Sequence, residues 1–452
     1  MLKFPDLYQK NISFEAIPVF FLILLTASLV VDKSYAQDFE YRLDCAGLYD
    51  AIVKLRDSTF DIPAKWRIIE GEAGFEKFNA VTEAVSGGRF LAAGVGIPET
   101  GKMNTPLLSL INEKGEVVWL KKEKNPYEET IKDIVTQNGR YIAVGEIHES
   151  DRKKRGLRVA FYNANGDLEL KKTFYEDRYA YEAIDIEPSF DGNGFVILGW
   201  ANNEDSEIDH FAFLLHVDDK GEKLLRRNFQ LGTGSKLLKL NPVGDSSFMA
   251  TGWIRQEAGR KAGWLVKIGK RGEIMWERSY PRGREAILTR AISHPDKGYL
   301  VIGKSDPFGK MNISAWGMWV DVSGIKKWER FWHGDDFDYE ARDAITLDNS
   351  RFNILINAEP KDDNGRRHPL VITTTLRGQI FDYEAYMEGA HTEAFALHKT
   401  FTGDRILAGN AQTAFSMGGG NVLSNPNIYD AWALEMKDPQ PYTDPCNEQN
   451  TR

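Results

Sequence analysis

The chain has 452 residues, 42% hydrophobic and 27% charged, with 40 glycines and only 2 cysteines. There is ample apolar side chain for a core and at most one covalent staple, which excludes a disordered polymer and a small disulfide-built scaffold. Lysine and arginine number 57 against 66 acidic residues, for a net charge of −9; a nucleic-acid backbone is excluded as the main partner, since that needs a basic face.

The first predicted element is an address. Ala16 to Val31 is an uninterrupted apolar run, AIPVFFLILLTASLVV, followed by small residues Ser34 and Ala36 before Gln37. This is the pattern of a secretory signal peptide over residues 1–36. The run is at the short end for a membrane span and its leading segment is long, so an uncleaved signal anchor is the alternative. No other stretch is apolar enough to span, and the expected mature chain does not start with cysteine, which argues against a lipid anchor. A secreted or periplasmic protein is expected. Residues 37–63 follow as an N-terminal extension whose stretch DCAGLYDAIVKLRD predicts a short helix carrying Cys45.

From there a repeat organises the chain. A short apolar strand ends on glycine at Gly94, Gly145, Gly199, Gly252, Gly303 and Gly409, with RFNILIN placing Asn357 at the remaining position; these sites are 51 to 54 residues apart. Each is preceded by another apolar strand, such as EAIDIEPSF, and followed by a strand, a glycine turn and a strand often carrying tryptophan, as in GWLVKIGKRGEIMWER. Four strands of roughly 5–6 residues plus turns fill about 50 residues, the size of one propeller blade. Seven copies close a ring without free edges. The predicted fold is all-β: a seven-bladed β-propeller of four-stranded blades over residues 64–438.

The last unit reaches its third strand at Ile428 to Met436 and has no fourth, whereas AKWRIIEG at Ala64 to Gly71 resembles the fourth strands of other units. The N-terminal strand is therefore expected to complete the last blade. On that path Cys45 and Cys446, the latter in the tail 439–452, emerge on the same face and are expected to form a disulfide. Closing a loop of about 400 residues contributes roughly 5 kcal/mol in the chain-entropy model. Two unrelated thiols are the alternative.

The run WERFWHGDDFDYEARDAI (Trp328 to Ile345), the strands around Gly199 and Gly303, and the glycine turn before WER resemble the roughly 50-residue propeller repeats of secreted bacterial and archaeal proteins. Their pattern is W-x-x-x-[FY]-G-G, then D-D-x-A, then D-G-G-[FY]-[IL]-x-x-G. The resemblance implies the fold and export, and it implies no particular activity. Asn357 and Lys236 depart from the pattern. The glycine–tryptophan turns are also similar to those of quinoprotein propellers, but the alanine and aspartate of that docking motif are mostly missing.

Some 16 to 18 residues before each strand end stand Glu76, Glu129, Glu182, Lys236, Glu285, Glu340 and Glu393. This place precedes the innermost strand, so the seven are expected to ring the channel mouth on one face, here called the top. Adjacent like charges about 8 Å apart cost roughly 2 kcal/mol at an effective dielectric near 20. Such a ring is expected to hold a cation, meet a basic partner or raise carboxylate pKa values; alternatively each glutamate bonds within its own loop or pairs with a local base such as Arg284, Arg342 or Lys132. Asp335, Asp336, Asp338, Glu340 and Asp343 offer hard oxygen ligands for calcium, the first four being the candidate site, though without a regular calcium loop. No other cofactor is indicated.

Long polar top loops, Ile147 to Gly156, Asn202 to Asp209, Lys361 to His368 and Ala411 to Asn427, are candidate ligand contacts. Zinc spacing, a nucleophile elbow and a phosphate-binding glycine loop are absent from the sequence. Trp119, Trp276 and Trp328 recur at one blade position and read as packing, whereas Trp200, Trp253 and Trp332 near loops read as possible sugar platforms. The sequence favours a non-catalytic binding or scaffold module, monomeric or within a periplasmic assembly, taking a protein or glycan ligand at the top face. The alternative is a glycan-active hydrolase or lyase using mouth carboxylates as acid and base.

Overall fold

The computed structural model describes residues 39–42 and 64–436, apart from 72–74, 98–102, 124–125, 150–154, 177, 204–209, 230–233, 257–258, 295–297, 308–311, 363–364, 389–390 and 413–428. The expected signal peptide, the helix within 43–63, Cys45, Cys446 and the tail lie outside the described residues. Among the described residues there is no helix, and so none able to cross a membrane.

The described strands form seven antiparallel sheets arranged as a seven-bladed β-propeller. The blades start, in order, with the inner strands Phe75–Glu83, Glu128–Glu129 with Asp133–Gln137, Ala180–Pro188, Ser235–Val243, Ala286–His294, Phe337–Asp348 and Thr392–Lys399. Blade 7 is completed by the N-terminal strand Ala64–Glu70, which pairs antiparallel with Asp430–Met436 from Ala64↔Met436 to Glu70↔Ala431. The two ends of the propeller thus share one sheet, as the repeat count requires. One feature is additional: Phe39–Arg42 forms a parallel fifth strand on the outer edge of blade 5, pairing Phe39 with Arg330 and Arg42 with His333.

The strand patterns follow from where each strand sits. Second and third strands such as Arg89–Ile97 and Gly156–Tyr162 are buried almost throughout, because both of their faces pack on neighbouring blades; hence their continuous apolar runs. Outer strands such as Val117–Lys122 alternate towards solvent. Seven buried apolar clusters result, one at each blade interface.

The recurring tryptophans clasp one blade to the next. Gly115, Gly166, Gly324 and Gly378 adopt φ of 77°, 74°, 78° and 72°, and a Cβ on any of them would fall within 2.9 Å of Trp66, Trp119, Trp276 or Trp328 of the preceding blade. The turn needs glycine twice over, for its left-handed backbone and for the ring lying on it. Trp276 and Trp328 also donate their Nε1–H to the Val322 and Leu376 carbonyls, each at 3.1 Å.

Candidate functional site

Each inner strand runs from the top face downwards and carries a bulge that skips one residue: Asn79, Ile184, Leu238, Thr289, Arg342 and Phe395, with Lys132 in the matching gap of blade 2. The bulge fixes the alignment between blades. It shows that Ile356, not Asn357, occupies the strand-end glycine position, since Ala341 pairs Ile356 as Ala394 pairs Gly409. Asn357 lies one step further and bridges to blade 7, donating to the Ala394 carbonyl at 3.0 Å and accepting from its N–H at 3.2 Å.

The same alignment redistributes the expected glutamate ring. The position two residues above the bulge holds Lys77, Thr130, Glu182, Lys236, Ile287, Glu340 and Glu393. Glu76 and Glu129 sit one residue earlier, and in a strand that turns a side chain to the opposite face. Both are fully buried within their blades. Glu76 meets Lys122 at 3.0 Å; Glu129 meets Arg158 at 2.5 Å and Lys171 at 2.7 Å. Glu285 precedes its strand and pairs with Lys261 at 3.2 Å, while Arg284 turns to Asp306. Three of the six glutamates therefore occupy the ring position.

Those three are each met by a base. Glu182 is flanked by Lys132 at 3.0 Å and Lys236 at 3.6 Å. Burial pushes its carboxyl up, but the two ammonium groups more than offset this and hold it below the usual range. Glu340 pairs with Lys304 at 3.1 Å and Arg342 at 2.8 Å, and Glu393 with Arg367 at 3.2 Å. Lys236 also lies 4.2 Å from the Trp200 ring centroid. The top rim is thus a lattice of alternating, partly exposed charges.

Asp335 and Asp336 are exposed in the loop between blades 5 and 6. Their backbone carbonyls accept from the Lys361 ammonium and the Lys361 N–H, both at 3.0 Å, while the Asp338 carboxylate accepts the Ile313 N–H at 2.9 Å. Among the described residues no group of three or more acidic, histidine or cysteine side chains is placed to hold a metal. Trp200 and Trp253 are half-buried at the rim, on either side of His210. Trp332 is fully buried, which removes it as a sugar platform: it packs between blades 5 and 6. Residues 150–154, 204–209, 363–364 and 413–428 of the long loops lie outside the described residues.

Below the rim, the residue after each bulge reads Ala80, Asp133, Asp185, Lys239, Arg290, Asp343 and Ala396. Sequence reasoning misses this layer as a whole and reads only Asp343 from it, as a calcium ligand, whereas its carboxylate is taken by Arg290 and the Leu397 N–H. The layer's signal was a lone charge inside an apolar inner strand, as in AIDI, LLKL and LTRAI. Each aspartate accepts a backbone N–H from the next blade: Asp133 from Ile186 at 3.3 Å, Asp185 from Leu240 at 2.6 Å and Asp343 from Leu397 at 3.0 Å. Lys239 bridges Asp133, at 3.2 Å, and Asp185, and Arg290 pairs with Asp343 at 3.2 Å. Burial opposes the charge on Lys239, but the two aspartates prevail and lift its pKa.

One step lower stand Glu187, whose carboxyl burial pushes up to about 7 against the pull of Lys239 and Arg290, and His398, which burial pushes down to about 4. These layers line a cavity of about 300 Å³ that also takes in Asn79, Lys132, Arg342 and Phe395. The upper of these two layers acts as an electrostatic latch, joining blades 2, 3 and 4 and likewise blades 5, 6 and 7.

The sequence matches no protein-family model and no curated protein. Among solved structures, parainfluenza virus 5 haemagglutinin-neuraminidase is 10% identical, with 84% of this chain and 93% of that chain covered at a TM-score of 0.44. Drosophila semaphorin 2a is 6% identical, covering 84% of this chain and 77% of that chain at 0.48. An acylaminoacyl peptidase of Pyrococcus horikoshii is 10% identical, covering 86% of this chain and 55% of that chain at 0.44.

Proposed function

We propose that this chain is an exported, non-catalytic binding or scaffold propeller that engages a protein or glycan at the top-face mouth of its channel. The observation that carries the reading is the rim itself: partly exposed, alternating Glu182, Lys236, Glu340, Lys304, Glu393 and Arg367 beside half-buried Trp200 and Trp253. Fixed charges of both signs next to aromatic faces suit recognition of a polar surface. They suit acid–base catalysis less well. A glycosidase needs one carboxyl kept protonated near neutral pH, whereas Glu182 is held ionised by its two lysines.

The alternative, a glycan-active hydrolase or lyase, has Glu187 in its favour, the channel carboxyl raised to about 7. Structural ion-pair networks shift pKa values in the same way, and Glu187 lies below the rim.

The test compares wild type with the Glu182→Gln/Glu340→Gln double variant. Both are used to capture partners from the native exported fraction, and both are assayed for turnover on a glycan panel. Loss of a specific partner with no turnover by either protein supports the reading. Recovery of identical partners by both proteins rejects the mouth as the binding face, and turnover that disappears on Glu187→Gln establishes the enzyme.

A further inference from the structure

Blades 6, 7, 1 and 2 are consecutive around the ring; Lys77 stands at the ring position of blade 1, and just below that level Arg342, Phe395, Asn79 and Lys132 line the cavity. The charges here are not balanced as they are elsewhere. Lys132 is committed to Glu182 and Glu146, at 3.0 and 3.6 Å, and Arg342 to Glu340 at 2.8 Å. Lys77 occupies the ring position where blades 3, 6 and 7 have glutamate. Among the described residues no carboxylate lies within ion-pair distance of its ammonium. Glu393 and Glu146 are near enough to act on it, but Glu393 is bound to Arg367 and Glu146 to Arg155 and Lys132.

The Lys77 ammonium lies 5.0 Å from the Phe395 ring centroid, and the Arg342 guanidinium lies 5.9 Å from the same ring. Two cations therefore face one aromatic ring at the edge of the 300 Å³ cavity. Burial, joined by the positive charge of Lys132 and Arg342, lowers the Lys77 pKa despite the two glutamates. A half-buried ammonium among cations, with a cavity beside it, is a charge in want of an anion.

We propose that the upper channel between blades 6, 7, 1 and 2 binds a small organic anion, a carboxylate or phosphate ester. Its charged group sits on Lys77 between Lys132 and Arg342, and its apolar body lies against Phe395. The anion makes charge-assisted hydrogen bonds to Lys77, and water is displaced from the ring face. The site reaches from the ring position of Lys77 down into the cavity, and it stands whether or not a macromolecule docks at the mouth.

Benzoate and inorganic phosphate serve as probes, titrated by calorimetry into wild type, Lys77→Met, Lys77→Arg and Phe395→Leu, with circular dichroism confirming that each folds. Lys77→Met is expected to weaken both probes by about tenfold or more, the worth of a charge-assisted bond. Lys77→Arg is expected to retain them, and Phe395→Leu to weaken benzoate while sparing phosphate.

A second readout guards against a variant that fails to fold. In wild type, Lys77 is expected to react early with limiting acetic anhydride, as an amine of lowered pKa, and benzoate is expected to protect it. Absence of binding by wild type, equal binding by Lys77→Met, or labelling of Lys77 unchanged by benzoate each overturns the proposal.

Discussion

Two layers of the same channel, a few residues apart on the same seven strands, are built on opposite electrostatic plans. In the lower layer the charges are met within the fold. Lys239 lies between Asp133 and Asp185, the latter's carboxyl pushed up by burial and by Asp133 despite Lys239. Arg290 faces Asp343, and each aspartate also takes a backbone N–H of the next blade. In the upper wall of blades 6 to 2, Lys77 has no such answer among the described residues. Groups closed on themselves hold the ring together, while an open charge beside a cavity is available to something that comes and goes. A repeat protein achieves this contrast cheaply, because one substitution per blade changes one layer without disturbing the strands.

The contrast breaks most visibly at Asp185. In Asp185→Ala, Lys239 keeps only Asp133 and the Leu240 N–H loses its acceptor, a loss expected to cost about 3–5 kcal/mol in urea unfolding. A cost under about 1 kcal/mol would mean that the lower layer is not a latch.

Glu187, one step below that layer, tests its electrostatics through pH. Its carboxyl is raised in the folded state to about 7, so folding favours the protonated form. That contribution is complete below the unfolded value near 4.5 and is lost as pH rises through 7. Glu187→Gln removes the loss. The variant should match wild type near pH 4 and gain with rising pH, up to about 3 kcal/mol at pH 8; a gain that does not change with pH contradicts this assignment.

Glu129 and Glu340 separate the two kinds of glutamate that look alike in sequence. Glu129 is sealed between Arg158 and Lys171, and Glu129→Gln is expected to cost about 2–3 kcal/mol in the same urea measurement by leaving buried cations underpaired. Glu340 is partly exposed, and Glu340→Gln is expected to cost no more than about 1 kcal/mol. Equal costs would mean that both glutamates share one environment.

These pairs also show how far the sequence could be read. Blade number, strand number and closure by Ala64–Glu70 were legible because the turn glycines and the tryptophans lying on them are steric requirements that recur every blade. The ring was legible only in part. The loop joining the first two strands runs from two residues in blade 2, Asn138 and Gly139, to six in blade 3, Ser189 to Gly194. Counting back from the strand-end glycine therefore slips by a residue, and in a strand one residue exchanges a buried face for the channel. Glu76 and Glu129 were misplaced in this way, and Lys77 was passed over. The latch role of the aspartates went unseen for another reason: their partners are backbone N–H groups of the next blade, more than 50 residues away, and no local pattern marks such a contact.

The smallest expected effect is the most discriminating. If Lys77 served the fold as Lys239 does, its removal would cost several kcal/mol. As an ammonium with no counter-ion among the described residues, half out of water, it contributes little to the folded state, and Lys77→Met leaves a flexible apolar chain over Phe395. Stability without added anion should then stay within about 0.5 kcal/mol of wild type. In about 20 mM phosphate the wild type should gain in melting temperature while the variant does not, because only a folded state that binds the anion is stabilised by it. A drop of more than about 2 kcal/mol in Lys77→Met would place Lys77 with the latch and erase the difference between the two layers.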